Sequence, residues 1–201
     1  MKTPRLAAIV LAAGLSSRMK QFKPLLPLGK TTIVNYVIAT SKSVNVDVVL
    51  VTGYRHNDVA AAIADKGITV VYNPDYQKEM FSSVQAGVRQ LSPEYTGFFI
   101  LPVDIPLVTA ATIQSLIKTA CENPDKIIYP TYQGKRGHPP LLPASLIQNI
   151  LNWTKEGGLK AVLKAHEKLA LEVPVNDKFI LEDIDNPEDY QRLLQHYLNR
   201  K

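Results

Sequence analysis

Arg18, Lys20 and Lys23 stand close together just after Gly14, in the stretch LAAGLSSRMKQFK, with no acid among them. These are residue types for holding an anion. Glycine lets backbone approach closely, and consecutive loop amides can form an anion nest. Arg18 offers a planar fork matched to phosphate oxygens, and Lys23 a mobile point charge. The same residues would also suit a solvated basic loop. Neither common phosphate signature is present: G-x-G-x-x-G is absent, and the GKT at Gly29–Thr31 has Pro24 where a P-loop needs glycine.

Asp104, in LPVDIP, could hold Mg²⁺, a hard cation that takes one or two carboxylates plus phosphate oxygens. It could equally serve as a turn or cap for a helix beginning near Thr109. Asp183, Asp185, Glu188 and Asp189 surround Pro187, and suit either metal ligation or an acidic helix start. His138, in GKRGHPPLL, has no second histidine at ligand spacing, which argues against zinc. It either faces a ligand or fixes the local turn. His56, His166 and His196 fall in polar, helix-like contexts and are expected at the surface. Cys121 stands alone, so no internal disulfide can form, and a reducing cytosol is the expected setting. Its context, IQSLIKTACENP, predicts a buried structural thiol.

These residues need elements to position them. Apolar runs alternate with helical periodicities along the chain. RLAAIVLAA, VDVVLVTG, ITVVYN and TGFFILPVD read as strands. TTIVNYVIATSKS reads as a helix capped by Thr31 or Thr32, and NDVAAAIADKG as one closed by Gly67. FSSVQAGVRQL predicts a helix burying Phe81, Val84, Val88 and Leu91, and TAATIQSLIKTACEN another. Strands of continuous apolar character separated by helices imply a parallel sheet covered on both faces. After Lys126 the rhythm loosens. Strands are expected in KIIYPTY, near GHPPLLP and in LALEVPV; helices are expected in ASLIQNILNW, GGLKAVLKAH and PEDYQRLLQHYLN. The expectation is one α/β domain over residues 1–201, with its site beyond the carboxyl ends of the strands. Two candidate segments, after the first and fourth strands, end there.

Composition narrows the partners. At 201 residues with 46% hydrophobic content, the chain can bury a real core, which excludes disorder. No apolar run approaches the roughly 20 residues of a membrane span, and no signal-peptide layout is present. The net charge is +5, and the first acid is Asp47, preceded by seven lysines and arginines. That asymmetry favours an anionic partner. No basic stripe interleaved with aromatics, helix-turn-helix pattern or zinc spacing points to nucleic acid. A small phosphorylated ligand fits better.

Five blocks occur in order: LAAGLSSRMKQFKPLLPLGKTTI, NPDYQKEMFSSVQAGV, LPVDIPLV, RGHPPLL and DIDNPEDY. Together they resemble the signatures of the molybdenum cofactor nucleotidyltransferases, most closely the cytidylyltransferase branch. The first is similar to L-A-[AG]-G-x-S-x-R-M-G-x-x-K. The resemblance implies a three-layer Rossmann-like nucleotidyltransferase fold with a mostly parallel sheet. It also implies Mg²⁺ dependence, and transfer of a nucleoside monophosphate, CMP from CTP, onto the phosphate of molybdopterin with release of pyrophosphate. Carried over by position, Leu11, Ala12, Ala13 and Gly14 would lie along the nucleotide, and Arg18 and Lys23 would contact its phosphates. Asp104 would bind Mg²⁺, with Asp185, or alternatively Asp183, as second ligand. Ser82 and Ser83 would line the nucleotide pocket, and His138 the acceptor side. A recipient molybdoenzyme is a further expected partner.

Three departures stand out. Lys20 replaces the signature glycine after R-M, and could add a phosphate contact. Glu79 and Phe81 replace a glycine and a serine of the family's G-M-S-S-S turn, and Phe81 is read as a hydrophobic anchor rather than a base-stacking ring. Ala13, where the guanylyltransferase branch has glycine, would narrow the space beside the base and favour a pyrimidine. GTP as donor, a sugar or alcohol phosphate as acceptor, and a non-catalytic nucleotide or molybdopterin carrier are the alternatives.

Overall fold

The computed structural model describes residues 4–19 and 21–200; Lys20 lies outside the described residues. The chain runs through β1 (Leu6–Ala12), β2 (Pro27–Leu28), β3 (Thr31–Thr32), α1 (Ile33–Lys42), β4 (Asp47–Thr52) and α2 (His56–Ala62). β5 (Thr69–Tyr72), α3 (Met80–Val88), β6 (Gly97–Pro102) and α4 (Ala110–Glu122) follow. The second half contains β7 (Ile127–Tyr132), β8 (Lys135–Arg136) and β9 (Leu141–Pro143). It ends with α5 (Ile147–Leu151), α6 (Gly158–Ala165), β10 (Ala170–Pro174) and α7 (Pro187–Leu198).

The main sheet has the order β10-β7-β9-β6-β1-β4-β5, with β8 paired to β7. β6, β1, β4 and β5 are mutually parallel, as are β7 and β10. β9 is the exception. It runs antiparallel between β6 and β7, after a hairpin at Gln133 and Gly134, both at positive φ.

Side chains alternate across a strand, so a strand buried on both faces feeds two cores. Leu6, Ala8, Val10 and Ala12 of β1 join a core with Ile33 and Val37 of α1, Ile113 and Leu116 of α4, and Leu193 of α7. Ala7, Ile9 and Leu11 join the other, with Val84 and Val88 of α3, Ile150 of α5 and Val162 of α6. Helices thus cover both faces, making three layers. β5 departs from the expected burial: it is an edge strand, with Thr69, Val70 and Tyr72 exposed. Among the described residues no helix is long and apolar enough to cross a membrane.

Several expectations need correction. α2 stops at Ala62 rather than at Gly67, because Asn35 of α1 takes the last turn: its Nδ2 donates to the Ala62 carbonyl and its Oδ1 accepts from Ala64 N. Cys121 is exposed, not buried; the stripe of α4 that meets the core runs through Thr112, Ile113 and Leu116 and leaves position 121 outside. On α3 the fully buried residues are Ser83, Val84, Ala86, Gly87 and Val88, whereas Phe81 and Leu91 are partly buried against the same core. Small residues let this helix lie close on β1 and β4.

Gly87 sets that closeness. A Cβ there would collide with Ile9 Cγ2 and come to 3.0 Å from Val51 Cγ2. Alanine is favoured over glycine in a helix by about 1 kcal/mol, but overpacking a filled core costs roughly 1–3 kcal/mol. Packing should win. Gly87→Ala is expected to lower the urea midpoint without changing the m-value; an equal or higher midpoint would show that α3 rests on the sheet with slack.

Candidate active site

β1 and β6 lie side by side, with Leu11 opposite Pro102. Val103 N then donates to the Leu11 carbonyl at 3.2 Å, so the chain leaving β1 and the chain leaving β6 emerge together. Between them opens a cavity of about 260 Å³, lined by Leu11, Ala12, Ala13, Gly14, Ser16, Lys23 and Asp104 together with Tyr76, Lys78, Met80 and Ser83. A Cβ on Gly14 would meet no protein atom within 4 Å, so protein packing does not demand glycine there.

The loop after Gly14 is held by its apolar residues. Met19 and Phe22 are buried in the core, and Ser16, at φ 54°, turns the chain and accepts Lys23 N at 3.1 Å on its hydroxyl. The basic residues between these anchors take different positions. Arg18 keeps 77% of its side chain exposed, whereas Lys23 keeps only 12%.

The C-terminal segment completes the site. Buried Asp177 accepts from Thr109 N and Oγ1 at 2.9 Å, from Thr112 Oγ1 at 2.7 Å and from Phe179 N at 3.2 Å, fastening residues 177–181 to the start of α4. Ile184 is buried, and its N–H donates to the Asp104 carbonyl at 2.9 Å. That bond sets Asp185 beside Asp104. Asn186 and Asp189 form a reciprocal cap on α7, and Asp189 Oδ2 also accepts Asp185 N. Asp189 is therefore the capping acid. The Asp185 carboxylate instead meets Arg18 Nη1 at 2.7 Å and Lys23 Nζ at 3.1 Å. Thr109 caps α4, which leaves Asp104 free of that duty, 4.0 Å from Lys23 Nζ.

The two carboxylates sit in opposite electrostatic situations. Burial pushes Asp104 above the usual carboxylate range, opposed by Lys23 and reinforced by Asp183 and Asp185. Hydrogen bonding to Lys23 holds Asp185 below that range, with Arg18 helping. Lys23 stands where a cation between two carboxylates would stand, so the donor set suits a hard divalent ion. Among the described residues no three acidic, histidine or cysteine side chains gather as a metal cage. Magnesium asks for no such cage, since it keeps water and phosphate oxygens in its shell.

The other sequence-derived candidates divide. Ser83 lines the cavity. Ser82 does not; its hydroxyl accepts from Asn73 Nδ2 at 2.9 Å and donates to the Asp75 carbonyl at 3.0 Å. His138 lies outside the cavity, where its backbone N–H donates to the Ile180 carbonyl at 2.8 Å. Burial pushes its imidazole pKa down, against the pull of Asp183, and its Nδ1 is buried without a partner among the described residues. Asp183 is exposed. His56, His166 and His196 are half-buried; His56 Nδ1 meets Thr52 Oγ1 at 2.7 Å. Tyr76, Lys78 and Met80 were not singled out from the sequence, although they fall in the same conspicuous block as Ser83. Ser16 is the serine of the opening signature, a signal that was there to use.

A profile of the MobA-like NTP transferase domain matches residues 8–169. The molybdenum cofactor cytidylyltransferase of Escherichia coli K12 is 32% identical over 190 residues, covering 94% of this chain and 95% of that protein. A nucleotidyl transferase structure from Methanothermobacter superposes with a TM-score of 0.83 at 23% identity, over 98% of this chain and 99% of that one. Rv0371C of Mycobacterium tuberculosis H37Rv, solved in complex with manganese, does so with a TM-score of 0.75 at 23% identity, over 96% of this chain and 100% of that one. With the matched profile spanning both strand ends that frame the cavity, the chain belongs to the MobA-like NTP transferase domain family.

Proposed function

We propose that this nucleotidyltransferase moves CMP from CTP onto the terminal phosphate of molybdopterin, releasing pyrophosphate. The observation that carries this reading is the convergence of Ala12–Gly14, Lys23 and Asp104 on one cavity, in a chain whose E. coli relative is a molybdenum cofactor cytidylyltransferase. An oxygen of the acceptor phosphate forms the new bond to the α-phosphorus, and the bond to the β-phosphate bridge breaks in line. The attacking phosphate monoester is already ionised near neutral pH, so no general base is needed. What remains is alignment and charge stabilisation.

Lys23, between two carboxylates at the cavity wall, offers its ammonium to phosphate oxygens in this reading. Arg18, at the exposed rim, supplies a fork for the charge that grows on the leaving pyrophosphate. Asp185 and a triphosphate offer the same chemistry to these cations, so they compete for them. Asp104 and Asp185 are the residues that would hold Mg²⁺, and the manganese complex of a structural neighbour supports a divalent ion in this fold. When bound, the ion supplies neutralisation and orientation of phosphate oxygens. Ala13 puts a methyl beside the base position, where the guanylyltransferase signature has none. His138 lies toward the acceptor side in this reading, and a recipient molybdoenzyme would take the product.

The direct test is purified protein with molybdopterin, Mg²⁺ and each nucleoside triphosphate in turn, read by pyrophosphate release and mass spectrometry of the product. Cytosine dinucleotide should dominate, and chelation should abolish it. Pyrophosphate formed only with sugar or alcohol phosphates would move the acceptor assignment; binding of CTP without turnover would mark a carrier. Asp104→Asn and Arg18→Ala should each lower turnover by roughly a hundredfold or more while the melting temperature holds. Either variant near wild-type rate would remove that residue from the machinery. Ala13→Gly should narrow the preference for CTP over GTP by about tenfold, since one methyl in a pocket is worth about 1–3 kcal/mol; an unchanged ratio would place base selection elsewhere.

A further inference from the structure

Asn73 sits at the end of β5 with its side chain buried, and it was not among the candidate residues. Its backbone N–H donates to Thr52 O at 2.8 Å. Its side-chain Oδ1 accepts Asp75 N at 3.0 Å, and its Nδ2 donates to Ser82 Oγ and Ser83 Oγ, both at 2.9 Å. The polarity of this clamp is determined by chemistry. A backbone N–H can only donate, so the amide oxygen must face Asp75 and the NH₂ must face the serines.

A hydroxyl that accepts from an NH₂ has its own proton left to give. Ser82 gives it to the Asp75 carbonyl at 3.0 Å. Ser83 is different. Its side chain lines the cavity, and among the described residues no acceptor takes its proton. A buried hydroxyl with an unused donor costs free energy unless something arrives to accept it.

We propose that Asn73 is a positioning residue for the transfer reaction: by donating to Ser83, it commits that hydroxyl to donate into the cavity, toward an oxygen acceptor on the nucleotide. This rests on the reading of the cavity as the nucleotide site. Asn73 touches no substrate itself; it sets the direction in which Ser83 can bond. Asn73→Asp tests this, because it keeps the acceptor for Asp75 N–H and the shape of the side chain but replaces the NH₂ with oxygen. The Ser83 proton then turns inward, and the cavity faces a lone pair.

The measurement is titration calorimetry with CTP, and separately with tripolyphosphate, in Mg²⁺. It compares wild type, Asn73→Asp, Ser83→Ala and the double variant, with melting temperatures recorded for each. Each single variant should weaken CTP about tenfold, and the double variant should be no weaker than Ser83→Ala, because the two act through one hydroxyl. Losses confined to CTP assign a base carbonyl as the acceptor; equal losses with tripolyphosphate assign a phosphate oxygen. Asn73→Ser, smaller and neutral, provides the same comparison without a buried carboxylate. CTP affinity within twofold of wild type in both Asn73 variants would overturn the proposal. So would a loss from Asn73→Asp that persists undiminished in the Ser83→Ala background, since that is the mark of a collapsed turn. A wild-type chain that binds no nucleoside triphosphate would overturn the nucleotide reading as well.

Discussion

Lys23 between Asp104 and Asp185 is the interaction on which the site depends. An ammonium with only 12% of its side chain exposed cannot stand alone. Two carboxylates answer it, so removing either one still leaves the ammonium a partner. The three residues lie on the loop after β1, the turn after β6 and the segment before α7, far apart in the chain. Only the sheet brings the first two together, through the parallel pairing of β1 with β6. The third is set beside them by the Ile184 N–H to the Asp104 carbonyl, with Ile184 buried in the core and Asp177 fastening the preceding turn to α4. The fold itself thus sets the three residues side by side.

The cation-rich N-terminal stretch finds its counter-charge in the same way. No acid precedes Asp47, yet Arg18 and Lys23 pair with Asp185, and Arg5 pairs with Asp47 and Glu94. Acids near each other in sequence then take unlike roles. Asp189 accepts two backbone N–H groups and caps α7, while Asp185, four residues earlier, faces cations. Asp104 is raised by burial and Asp185 is lowered by hydrogen bonding, so the pair offers one carboxylate already strongly committed to cations and one that gains from a further positive neighbour.

What the sequence made legible follows from which signals are local. β1, β4 and β6 could be read because both faces are buried, and this leaves continuous apolar runs. α1 and α4 could be read from Thr32 and Thr109, whose hydroxyls accept the N–H groups of the first turn. The direction of β9 could not be read, since strand polarity has no side-chain periodicity. Nor could the end of α2, where a residue of α1 supplies the terminating bonds. Arg18, Lys23 and Asp104 stood out because charge beside a strand end is conspicuous. Asn73 did not, because a buried amide in a turn looks like any other turn asparagine until its partners are known. The helix-cap alternative for Asp104 and the acidic-helix-start alternative for Asp185 were separable only by seeing where Thr109 and Asp189 point.

The two cations that pair with Asp185 differ in what it takes to free them. Arg18 is mostly solvent-exposed, and exposed ion pairs of this kind are worth about 0–1 kcal/mol. Its bond to Asp185 can yield to an incoming polyanion at little cost. Lys23 is enclosed by both carboxylates and by its own turn, held through Ser16 Oγ to its backbone nitrogen. In the proposed reaction a triphosphate would thus meet one enclosed charge at the cavity wall and one exposed charge at its rim. Asp185 released from Arg18 has a carboxylate oxygen to offer elsewhere, next to Asp104. In the proposed reaction that exchange would bring the arginine to phosphate, and the exposed position of Arg18 keeps it inexpensive.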